Sequence, residues 1–189
     1  REVLYAGPLF IHQFSHIWLD LKGLQDQVMT KRKTDYFENS REMTHVHRQY
    51  AMRNPHKFMG YEKNCWGLTA SDGPADAVEK FHGHDQRFYD YVARGAPFGP
   101  DDGTISPWAS IASLPFAPEI VLDEIRHLES LIGHSPQGYG FHASFNLSWP
   151  GEHTSGAHRH SLKDSDSVAW VSPWHFALNQ GPIELMIEN

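Results

Sequence analysis

The sequence contains one cysteine, Cys65, in 189 residues, so no disulfide can form within the chain. It lacks any apolar run approaching the roughly 18–20 residues that a membrane-spanning helix requires, so no membrane span is expected. It also lacks a basic surplus: 16 Lys and Arg stand against 23 Asp and Glu, and Lys31-Arg32-Lys33 is the one cationic run. A formal net charge of −7 excludes the electrostatic footprint of a nucleic-acid-binding protein. HExxH, GxSxG and Gly-rich phosphate loops are missing too, which removes the best-marked zinc proteases, α/β-hydrolases and nucleotide-binding proteins. Fourteen histidines are present, including His45 and His47 and the group His153, His158 and His160. Their spacing matches no zinc pattern, so that group reads as a polar loop, and neither metal nor cofactor is expected. Cys65, beside Trp66, reads as a small buried thiol rather than a nucleophile.

What the chain has in excess is aromatic surface: six Trp, seven Tyr and eleven Phe make up 13% of it. Trp66, Trp108, Trp149, Trp170 and Trp174 stand near Gly, Pro, Asn or Asp, in loop contexts where aromatic faces can line a cleft. The richest stretch is residues 95–118, GAPFGPDDGTISPWASIASLPFAP. Pro100 and Gly103 bracket Asp101 and Asp102 in a turn, and Ser106-Pro107 reads as the start of a short helix carrying Trp108. Carboxylates at a helix entrance beside a Trp suit a ligand with many hydroxyls; a solvated turn is the plainer reading of the same residues.

Apolar residues recur at three- and four-residue steps, and sustained alternation is lacking, so the expected fold class is all-α. Helices are expected near 9–29, 35–53, 107–114, 118–132 and 173–187, with a further candidate over 75–93 that Gly83 weakens. The long Gly- and Pro-rich loops between them are of the kind that carries function. Residues 60–74, GYEKNCWGLTASDGP, place Glu62, Asn64, Trp66 and Asp72 in one such loop. Hydrolysis of a glycosidic bond ordinarily takes two carboxyls across a cleft. Asp20, Glu38, Glu62, Asp72, Asp101 and Asp102 are the candidates, and spacing alone does not choose among them.

Several segments, taken in order, resemble the glucoamylase-like (glycoamylase) family of bacterial glycoside hydrolases, which includes enzymes acting on β-1,2-glucan. They are GPLFIHQFSHIWLD (7–20), DYFENSR (35–41), CWGLTASDGP (65–74), FYDYVARGAPFGPDDGTISPW (88–108), SLPFAPEIVL (113–122), YGFHASFN (139–146) and WVSPWHFALNQGPIELMIEN (170–189). The resemblance implies an (α/α)6 toroid of which residues 1–189 supply roughly the C-terminal half, as a partial domain cut from a longer one. It implies an oligo- or polysaccharide substrate, with Asp72 and Asp102 as supporting catalytic groups and the principal acids upstream. His16, Trp18, Glu38, Trp66 and Gln180 are the expected substrate-binding residues, gathered with the two aspartates around one pocket. Three positions depart from the family pattern: Lys63 stands where an acid is usual, Asn179 where many members have Asp, and Ser144 where Asp often precedes Phe-Asn. Hydrolysis or transglycosylation is the expected activity, and a noncatalytic glucan-binding domain is the alternative. The location is open between periplasmic, extracellular and membrane-associated.

Overall fold

A computed structural model describes residues 3–136, 138–151, 158–161 and 168–188. Among the described residues there are five helices, α1 (Gln27–Arg32), α2 (Tyr36–Arg53), α3 (Pro107–Ile111), α4 (Pro118–Leu131) and α5 (Ala177–Glu188), preceded by a 3-10 turn at Leu9–His12. Eight strands accompany them: β1 (Ala70–Asp72), β2 (Ala77–Phe81), β3 (His84–Phe88), β4 (Tyr91–Ala93), β5 (Thr104–Ile105), β6 (Phe145–Asn146), β7 (His158–Ser161) and β8 (Val168–Val171). The all-α expectation is therefore corrected for this chain. β1 pairs with β4, β2 with β3, and a four-stranded antiparallel sheet runs β5-β6-β8-β7.

Two helices end where their residues require. The Asp35 carboxylate accepts from the Glu38 N–H at 2.8 Å and opens α2, and Asn54 closes it in a left-handed conformation ahead of Pro55. Pro118 opens α4, whose Ile120, Val121 and Leu128 are buried, and Gly133 follows its end.

Two expected helices fail for local reasons. The run 75–93 folds back on itself at His82-Gly83, both with positive φ, the geometry of a two-residue hairpin turn. Phe81 and Ala77 then lie on the half-buried side while Val78 is exposed, and Lys80 and Asp85 pair at 2.5 Å across the strands. The run 9–29 breaks after one 3-10 turn and restarts at α1, because Asp26 caps it by accepting from Val28 N and Met29 N at 2.9 and 2.8 Å.

The apolar core gathers Trp66, Leu68, Ile105, Trp108, Val121, Leu128 and Phe145, joining α3 and α4 to the four-stranded sheet. A polar layer is buried with it. Gln13 anchors the segment after the 3-10 turn by donating to the Ala109 carbonyl (2.5 Å) and Ser113 Oγ (2.8 Å). That tether sets residues 9–21 across the end of α3, where the clefts described next are built.

Candidate functional site

Two depressions meet at His16. One, of about 430 Å³, is lined by Tyr5, His12, Ser15, His16, Tyr36, Asn39 and Ser40 together with apolar residues. The other, of about 270 Å³, has His16, Asp20, Lys22, Phe37, Phe116 and Met186 in its walls, and Leu19 and Leu21 belong to both. Ser40 donates to the Tyr36 carbonyl at 2.9 Å, so its oxygen is left to accept from His16 Nε2–H at 3.1 Å. His12 Nε2–H likewise donates to the Ala6 carbonyl at 3.0 Å. Burial lowers the pKa of both imidazoles, outweighing the hydrogen bonds that raise it. Near neutral pH they are uncharged, hydrogen-bonding groups, suited to hydroxyls rather than to anions. The His16 ring stands edge-on to Phe116 at 4.9 Å, which fixes its plane.

A third cavity of about 180 Å³ is lined by Trp108, Ile111, Gly140, Phe141, His142, Gln180 and Ile183. It lies along the same side of α5 as the His16 cleft: Gln180 and Ile183 line it, and Met186, three residues further, lines the other. Phe14 and Trp108, with ring centroids 6.1 Å apart, link the two regions through the interior. Two of the three hollows thus border α5, and two share His16, Leu19 and Leu21.

The expected single pocket is corrected. His16 and Gln180 both line cavities, but separate ones. Trp18 is 74% exposed and lines none of the three. Glu38 borders a different groove, beside Lys31, Lys33 and Asp35, and pairs with Arg41 at 3.4 Å. Trp66 is buried in the core, its backbone N–H donating to Glu124 Oε1 at 3.0 Å. Gly67 after it has φ +121°, and an added Cβ would lie 3.0 Å from the Ser106 carbonyl, so this turn excludes side chains.

The two aspartates are also spoken for. Asp102 is fully buried and makes a two-pronged ion pair with Arg94, at 2.7 and 2.8 Å, while accepting from the Tyr89 and Thr104 N–H groups. Asp72 is buried and accepts from Ser144 Oγ at 2.8 Å and from Ser172 Oγ. Asp101 takes Tyr50 OH (2.8 Å) and Tyr61 OH (2.6 Å); burial raises its pKa against the pull of these bonds. The displaced Glu62 is exposed and meets His127 at 3.1 Å. Among the described residues, Asp20 is the one carboxylate in the walls of the three cavities.

Sequence reasoning passed over His12, Ser15, Asn39, Ser40 and Tyr5. The first two flank His16 in HQFSH, and Asn39-Ser40 closes DYFENS, so the quoted segments held them. Cys65 is buried and its thiol pKa is pushed up by burial. Among the described residues no three His, Cys, Asp or Glu side chains gather as metal ligands would. His153 lies outside the described residues, as do the side chains of His158 and His160.

The Glycoamylase family model, described as "Putative glucoamylase", matches residues 1–189. The chain belongs to the Glycoamylase family. It is 32% identical over 185 residues to an exo β-1,2-glucooligosaccharide sophorohydrolase (non-reducing end) of Parabacteroides distasonis, covering 97% of this chain and 20% of that one. A "putative glucoamylase" structure from Bacteroides uniformis superposes with a TM-score of 0.69 at 34% identity, over 97% of this chain and 35% of its own. An endo-β-1,2-glucanase of Chitinophaga pinensis, in complex with sophorotriose and glucose, gives a TM-score of 0.68 at 28% identity, over 98% of this chain and 35% of its own. The glycoamylase chain thus spans about a fifth of its curated relative and a third of these solved structures. None of its described helices is long and apolar enough to cross a membrane.

Proposed function

We propose that this glycoamylase chain is part of a glycoside hydrolase or transglycosylase acting on a β-glucan, with the β-1,2 linkage as the expected one. The observation that carries the reading is similarity along 97% of the chain to a β-1,2-glucooligosaccharide hydrolase. The cavities support it: uncharged imidazoles, hydroxyls and amides beside aromatic rings are the groups that hold sugar hydroxyls and sugar faces. In this reading residues 1–189 are a partial domain that contributes one wall of the cleft. The principal acid and base come from the remainder of a larger helical toroid, because one carboxylate in these walls cannot serve as both.

A second reading, a glucan-binding domain without catalysis, is favoured by the engagement of Asp72 and Asp102 in internal bonds. Incubating the full-length protein with linear β-1,2-, β-1,3- and β-1,4-glucans and analysing the products separates the readings. Oligosaccharides released from β-1,2-glucan support an enzyme; binding without release supports the second reading; neither overturns both.

A further inference from the structure

Helix α5 is apolar on more sides than the described residues cover. Its inward side is accounted for: Asn179, Pro182 and Met186 are buried, and Gln180 and Ile183 line the cavity that Trp108 also borders. Leu178 and Leu185 are different, 64% and 38% exposed. Seven residues apart, they fall within about 20° of each other around the helix and about 10 Å apart along it. Gln180 and Ile183 lie on the opposite side, so the two leucines make a separate, outward stripe. A helix that is apolar all round is ordinarily a buried one. Yet among the described residues α5 packs chiefly against α3, a helix of five residues beside its own twelve.

Gly181 stands between the two leucines and shapes the stripe. Glycine inside a helix is unfavourable relative to alanine and finds its use where a neighbour must come close. A Cβ at Gly181 would meet nothing within 4 Å, so no described residue asks for its absence. Two leucines flanking a notch present no group to a sugar hydroxyl. They fit the ridge of a second helix, with one of its side chains seated over Gly181. The solved structures with which this chain superposes are covered to 35%, which leaves about two thirds of each to supply such a helix.

We infer that the Leu178–Gly181–Leu185 stripe of α5 is the docking face for an α-helix of the same full-length protein lying outside residues 1–189. Seated there, that helix backs α5 and holds Gln180 and Ile183 toward their cavity from the opposite side. The inference rests on the proposed reading of residues 1–189 as a partial domain, and it does not depend on glucan cleavage. Two measurements on the full-length protein test it together. Hydroxyl-radical footprinting of the wild type, native and in urea, reads the exposure of each leucine. Docking predicts that Leu178 and Leu185 are as protected in the native protein as Leu128, which is wholly buried in α4. Native reactivity near the urea level overturns the docking face, and so does protection that disappears on dilution to monomer, since a second copy would then be the occupant. The melting temperature of Gly181→Ala reads the notch by its sign. A free helix face gains from alanine, whereas a docked one is overpacked, so a fall of about 2 °C or more is expected. A rise or no change overturns the inference. Oligosaccharide release from β-1,2-glucan, assayed on the same wild-type sample, reports on the proposed function separately: release with exposed leucines overturns the docking face alone.

Discussion

Arg94 and Asp102 face each other with both prongs of the guanidinium engaged, Nε to Oδ1 at 2.7 Å and Nη2 to Oδ2 at 2.8 Å, and neither side chain reaches solvent. Arg94 Nη1 also donates to the Ser71 carbonyl at 2.8 Å, and the Asp102 carbonyl accepts from Asn146 Nδ2 at 2.9 Å. One ion pair thus ties β1, the turn before β5, and β6. Removing one partner of such a pair strands the other charge in the interior, at a cost of about 3–5 kcal/mol. Asp102→Asn in the full-length protein is therefore expected to lower the urea midpoint strongly, with any lost activity following lost fold. A normal midpoint with collapsed kcat would instead restore a catalytic role to Asp102.

Gly73 sits against the same pair. A Cβ there would lie 2.2 Å from Arg94 Nη2 and 2.3 Å from the Tyr89 carbonyl, distances no packing tolerates. Gly73→Ala should cost about 1–3 kcal/mol, the range for overpacking a filled interior. Equilibrium unfolding checks it, and a change below about 0.5 kcal/mol would show that the guanidinium can move aside.

His47 predicts acid sensitivity. It is buried, its Nε2–H donating to the Gly7 carbonyl at 2.8 Å and its Nδ1 accepting from the Leu68 N–H at 3.4 Å. Burial pushes its pKa down to about 3 from an ordinary 6.5. Its folded pKa is depressed, so below pH 6.5 the unfolded chain takes up a proton that the folded chain refuses until about pH 3. Stability is whole above pH 6.5 and falls as pH drops through that window, by up to about 1.4 kcal/mol per pH unit from this group. His12 and His16, lowered in the same direction, add to the slope. Urea midpoints between pH 7.5 and pH 4 should decline, and more shallowly in a His47→Gln variant; equal slopes would contradict the assignment.

Glu124 works in the opposite sense. It is buried on α4, with Oε1 holding the Trp66 N–H, and burial raises its pKa well above 4.5. With a raised folded pKa, its stabilisation is complete below pH 4.5 and is lost as pH rises toward the folded value. Glu124→Gln keeps an acceptor for Trp66 without a charge. The variant's melting temperature should gain on wild type as pH rises from 5 to 8, whereas Glu124→Leu should lose about 1–3 kcal/mol throughout by orphaning that N–H. A Gln variant that gains nothing with pH would contradict this.

The helices that were legible in the sequence carry their own boundaries: Asp35 and Asn54-Pro55 for α2, Pro118 and Gly133 for α4. The hairpin was not legible, because its turn is His82-Gly83 rather than Asn-Gly or Asp-Gly, and Phe81 and Phe88 mimic helical stepping. Asp72 and Asp102 stood out because each sits beside glycine in a turn, which is equally what a buried, fully bonded carboxylate looks like. Their partners decide the matter, and Ser144 and Ser172 are 72 and 100 residues from Asp72. His16 and Gln180 line separate cavities, and which cavity each enters depends on the Gln13 tether and on α5, which no local pattern encodes.

The central claim, that the hollow beside His16 receives β-glucan, is tested most directly by filling it. Ser15 lines that hollow and is exposed, so Ser15→Trp adds an indole where the sugar would lie without disturbing the core. Titrating the full-length protein with a β-1,2-linked glucooligosaccharide should show at least about tenfold weaker binding for Ser15→Trp at an unchanged melting temperature. An affinity equal to that of wild type would contradict the account.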